Sequence, residues 1–151
     1  RWGLRYLYLP MWPDTWPKRQ KWSNATLFVQ FSLREPEVWV GYRHQVRTQQ
    51  QDGWDAAAEE VAVAVSAQAG RTAGASRYPD YHDLFATREA SQVDAAWLRS
   101  ILPRTEVFFS LHRVLPLDTL SQTAAVVDLI RDDQRYVESI PFLLGEGLPR
   151  P

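Results

Sequence analysis

Between Ala25 and Gln45 the sequence alternates twice around a proline-containing break, and alternation of this kind leaves a chain few folds to choose from. In Thr26-Leu27-Phe28-Val29-Gln30-Phe31-Ser32-Leu33 the odd positions are apolar, while Gln30 and Ser32 fall on the other face with Phe28. That is the period of a half-buried strand. Val38, Val40 and Tyr42 repeat the pattern with Trp39, Gly41 and Arg43 opposite. Pro36, within Arg34-Glu35-Pro36-Glu37, fixes its own φ and cannot donate to a ladder, so the two runs read as a hairpin joined by a tight turn.

The rest of the chain supplies partners for that hairpin. Leu4 to Leu9 has β character, apolar on both faces as a central strand would be, and ends at Pro10. Residues 11–22 hold Trp12, Trp16 and Trp22 among two prolines without a period, and read as a loop that folds over a core or binds something. Asp52 opens a helix with Trp54, Ala58, Val61 and Val65 on one side, and Gly70 supplies its left-handed exit. Arg71 to Asp80 carries no period and reads as a mobile loop. Ser91 with Asp94 resembles a capping box before a short helix that ends at Pro103. Thr105 to Leu115 returns to period two, with Val107, Phe109 and Leu111 opposite Phe108, Ser110 and His112. Asp118 then suits the cap of a last helix, which Asp132-Asp133 either breaks or lets run on toward Pro141. The expected fold is α+β, a largely antiparallel sheet of about four strands with helices packed on one face.

The 151 residues suit one domain, with an irregular tail over 145–151. The first residue is Arg1, so a fragment of a longer chain, or one that has lost its lead, is expected. There is no cysteine, which excludes disulfides, thiolate metal sites and a Cys nucleophile. No apolar run approaches the roughly 20 residues that cross a bilayer, and no signal peptide opens the chain, so the cytoplasm is the default compartment. Lys18 and Lys21 are the only lysines among 17 basic residues, a skew that suits the coding bias of a GC-rich bacterium.

Charge is uneven. Residues 1–50 hold eight basic and three acidic side chains and five of the seven tryptophans, while the remainder is acidic. Arginines interleaved with aromatic rings stack bases, hold sugars or rim a core. Arg34, Arg43, His44 and Arg47 are the candidate anion contacts at the ends of the hairpin, with Trp12, Trp16, Trp22 and Trp39 as candidate stacking rings. A solvated strand end and a core lid account for the same residues without function.

Common catalytic signatures are missing: no phosphate loop, no paired histidines around a Glu, no nucleophile elbow, no calcium loop. Asp80, His82 and Asp83, with Tyr81 between them, form one cluster that could ligate a metal or orient an imidazole, although the run is equally good turn chemistry. From the hairpin of Leu27 to Tyr42 through the aromatic-acidic loop to Phe142-Leu143-Leu144, the order of elements resembles an uncharacterised bacterial domain family over about residues 25–144. The family's amino-terminal helical segment is absent here. The resemblance implies fold alone, and carries no activity and no functional residue.

Three functions compete. A non-catalytic recognition module, such as the nucleic-acid-binding specificity domain of a larger bacterial protein, accounts for the basic and aromatic first third. It would work without catalytic residue, metal or cofactor. A structural or protein-binding domain would use the tryptophan loop as interface to other domains or subunits. A metal-assisted hydrolase would use Asp80, His82 and Asp83.

Overall fold

In the computed structural model, which describes residues 6–14, 16, 25–32, 34–46, 51–77, 84–101 and 107–139, the first strand is β1 (Tyr6–Met11) and the alternating stretch forms β2 (Thr26–Ser32) and β3 (Glu37–Val46). The strands β2 and β3 pair antiparallel from Thr26 opposite Arg43 to Phe31 opposite Val38, which keeps the apolar positions of both strands on one face as the alternation requires. Their turn is held by the Ser32 hydroxyl, which accepts the amides of Arg34 (3.2 Å) and Glu35 (2.9 Å).

Next come helix α1 (Gln51–Ser66), strands β4 (Thr72–Ser76) and β5 (Leu84–Glu89), helix α2 (Ala95–Ile101), strand β6 (Val107–Pro116) and helix α3 (Thr123–Glu138). Among the described residues six strands form one antiparallel sheet in the order β1-β2-β3-β6-β4-β5, two more strands than the sequence suggests. The extra pair includes a stretch that reads as a loop. Strand β4 is Thr-Ala-Gly-Ala-Ser, poor in β-forming residues, yet it lies between β5 and β6 with Ala73 and Ala75 wholly buried. Packing between neighbours, rather than propensity, decides it. Gly70, at φ +78°, makes the turn into it.

Strand β1 is also not central. It is an edge strand, with Leu7 and Leu9 about half exposed, and Pro10 fits there because an edge forgives a missing donor. Asp94, rather than Ser91, caps α2: its Oδ1 accepts the Trp97 amide at 2.6 Å, and Ser91 lies in a 3-10 turn just before. Asp118 likewise sits in a 3-10 turn ahead of α3. Asp132-Asp133 does not break α3.

The core fills the space between the helices and one sheet face. Leu27, Tyr42, Val46, Phe109 and Leu111 meet Trp54 of α1 and Leu98 of α2 there, while Val29, Val38 and Val40 meet Val126 of α3. Trp54 is wholly buried, its ring 5.1 Å from that of His44 and 6.1 Å from that of Phe109. Helix α3 is fastened by a buried ion pair, Arg71 with Asp133, beside the stacked contact of Arg71 on Tyr136. Losing one partner of such a pair strands the other charge away from water. Among the described residues, no helix is long and apolar enough to cross a membrane.

The two halves of the sheet approach closely at Gly41. A Cβ there would collide with the Leu111 carbonyl oxygen and come within 2.6 Å of His112 Cα and 2.8 Å of its Cβ. Backbone cannot yield as a flexible side chain would. Gly41→Ala is expected to lower stability by about 3 kcal/mol, read as a shifted urea midpoint at unchanged slope; a midpoint within experimental error of the parent would contradict this packing.

Candidate functional site

Alternation along the central strands sends a second set of side chains to the face opposite the helices. On β2 these are Thr26, Phe28, Gln30 and Ser32; on β3, Trp39, Gly41, Arg43 and Gln45; on β6, Phe108, Ser110, His112 and Val114. Among the described residues no helix packs against this side, and its composition is unlike a core. Gln30, Arg43, Ser110 and His112 are all at most 3% exposed. Buried polar side chains gathered on one face are uncommon, since each loses its water.

Rings surround them. The Arg43 guanidinium lies over Tyr8 of β1 at 4.7 Å and over Phe108 at 5.3 Å from the ring centres. Sandwiching a planar cation this way offsets part of its desolvation. His112 stacks on Trp39 at 4.5 Å with planes 3° apart, and its other neighbour is Phe28 at 6.5 Å. Gly41 makes room for both, because it separates Phe28 from His112 in the register and has no side chain. The Ser110 hydroxyl lies 3.3 Å from His112 Nδ1. Gln30 Nε2 has no hydrogen-bond partner. In the register Gln30 faces Tyr8 on one side and Trp39 on the other, both only partly buried.

The arginines and tryptophans singled out in the sequence do not all meet. Arg43 and Trp39 share this face. Arg34 is exposed at the β2–β3 turn. His44 points to the opposite side, wholly buried against Trp54. Trp16 is 5% exposed within the helix-side core and donates from Nε1 to Glu138 Oε1 at 3.0 Å. Trp12 follows β1 and is exposed. Arg47, Trp22 and the Asp80, Tyr81, His82 and Asp83 cluster lie outside the described residues. Among those described, no three His, Asp or Glu side chains group as a metal would require.

Sequence reasoning missed Gln30, Ser110 and His112 as a set. The signal was present: each is polar within an alternating strand, facing away from the apolar positions that mark the core.

No protein-family model, curated protein or solved structure matches the chain.

Electrostatics separates this face from the core beneath. Burial pushes His112 down from its usual range to about 4, so the ring is neutral near pH 7. Burial drives Tyr8 up to about 12, against the attraction of Arg43. On the helix side Asp133 is raised to about 6, first by burial and against the pull of Arg71.

These shifts give opposite responses to acid. His112 has a folded value below its unfolded one, so its contribution is complete above about 6.5 and is lost as pH falls toward 4, roughly 3 kcal/mol in all. Asp133 has a folded value above its unfolded one. Its contribution is therefore complete below 3.8 and lost as pH rises through about 6. Denaturant titrations of two variants separate them. Asp133→Asn is expected to lose stability more steeply on acidification than the parent, and His112→Gln to lose less. Parallel pH profiles for all three proteins would contradict both assignments.

Proposed function

We propose that the chain is a non-catalytic recognition module, and that its ligand is a nucleic-acid strand taken on the sheet face opposite the helices. The observation that carries this reading is the buried polar set Gln30, Arg43, Ser110 and His112 framed by Tyr8, Phe28, Trp39 and Phe108. Flat rings favour flat ligands, and guanidinium and amide donors favour the carbonyl and phosphate oxygens of nucleotides. The first third of the sequence carries the basic surplus, a charge that suits a polyanionic ligand.

The chemistry of the face favours recognition over catalysis. A histidine held near 4 is a feeble base at neutral pH, and among the described residues no carboxylate stands behind it to orient the ring toward Ser110. A protein-interaction domain has one observation in its favour: Leu7 and Leu9, half exposed on the open edge of the sheet.

Anisotropy titrations of a short labelled single-stranded oligonucleotide over a salt series test the proposal. Trp39→Ala should lower affinity at every salt concentration by roughly 1 to 3 kcal/mol without changing the slope, as loss of a stacking surface does. Arg34→Ala, at the exposed turn, should reduce the slope instead. Absence of binding at low salt by the folded parent protein would end the nucleic-acid reading and leave the exposed β1 edge as the better candidate surface.

A further inference from the structure

Resting on that recognition reading, we infer that Glu37 is a positioning residue for it: the carboxylate holds the Trp39 indole on His112 as a stacking surface ready for a base, and keeps phosphate away from that ring. The strand brings the two side chains together. Glu37 and Trp39 are two apart on β3, so both leave the sheet on the face opposite the helices. Glu37 stands at the start of β3, where its amide donates to the Glu35 carbonyl at 2.7 Å and its partner across the ladder is Pro116. From there Glu37 Oε2 accepts a hydrogen bond from Trp39 Nε1 at 3.4 Å.

The indole is thereby held in two ways. Its ring lies on that of His112, with centres 4.5 Å apart and planes 3° apart. Stacking fixes the plane of the indole but not its rotation within that plane, and the bond at Nε1 fixes the rotation. His112 is buried beneath, while Trp39 remains partly exposed. What Trp39 offers a ligand is carbon ring, since the one polar atom of the indole is already engaged. Such a surface gives a base a π face to lie on and reads no sequence. A ring already in place also costs less to bind than one that the ligand must order.

A carboxylate is otherwise out of place here. Glutamate is depleted in strands, and beside the site of a polyanion it repels. That repulsion acts on phosphate and spares the neutral base, so at this end of β3 the base is what meets the ring.

Glu37→Gln keeps a side-chain oxygen for Nε1 and drops the charge, whereas Glu37→Ala drops both. Oligo-dT affinity is measured for the parent and both variants at low salt and at a salt concentration that screens the carboxylate. Solvent exchange of the Trp39 indole N–H is followed in the ligand-free proteins, and urea midpoints establish that each is folded. At high salt Glu37→Gln should bind within about twofold of the parent and Glu37→Ala roughly two- to tenfold more weakly, the cost of ordering one side chain on binding. At low salt Glu37→Gln should bind more tightly than the parent, because a repulsive charge is gone. The indole N–H should exchange faster in Glu37→Ala than in the parent, and at about the parent's rate in Glu37→Gln.

Glu37→Ala matching the parent at high salt, or Glu37→Gln weakening as much as Glu37→Ala, would overturn the inference and leave the recognition reading intact. So would an indole exchange rate that is the same in all three proteins. Glu37→Gln binding no more tightly than the parent at low salt would overturn the exclusion of phosphate from the ring. If the folded parent binds no oligonucleotide at low salt, the recognition reading fails and takes the inference with it, whatever the indole shows.

Discussion

Strands β3 and β6 pair along their whole length, from Glu37 opposite Pro116 to Val46 opposite Val107, and this ladder joins two three-stranded halves. On one side lie β1 and β2, on the other β4 and β5. Every other feature follows from that seam. Because alternate residues of both strands point in opposite directions, the same ten pairs build the apolar floor beneath the helices and the polar layer on the reverse. A slip of one residue would exchange the two. Gly41 sits in the middle of the seam and admits a close approach to His112 that no larger residue allows.

The two faces meet their polar groups differently. Under the helices, Arg71 is paired with Asp133, with Tyr42 and Tyr136 beside them, so that each buried charge has its partner. On the reverse face the cation Arg43 lies between rings, and Gln30 keeps an unpartnered amide. A fold built only for stability would gain by filling that position with an apolar side chain.

How far the sequence carries depends on which force decides each element. The hairpin, β6 and the faces of both were legible because burial on one side imposes a period of two. Helix α1 and the stretch of Ala95 to Ile101 were legible for the corresponding reason, a period near 3.6. Strand β4 was not, because Ala73, Gly74 and Ala75 are chosen by the space between β5 and β6 and leave no periodic trace. The pairing of Arg71 with Asp133 was invisible for want of any local signal. His44 is a different case: Tyr42 already pointed to the core, so alternation alone sends His44 there and sends Arg43 to the reverse face. Grouping both as anion contacts followed their charge and ignored their period. The polar layer was half legible in the same sense, since Gln30 and His112 stood out as polar residues on strands, but only the β3–β6 register brings them to one surface.

The central claim is that the face opposite the helices is where this protein meets its ligand. Amide and side-chain resonances of isotopically labelled protein, followed while oligo-dT is added, test it residue by residue. The account predicts saturable shifts for the Gln30 side-chain amide, the Trp39 indole and the Gly41 backbone amide, with the Trp54 indole unmoved beneath the helices. Shifts concentrated at Trp54 and α3, or none at Gln30 and Trp39 under conditions where binding is saturated, would contradict it.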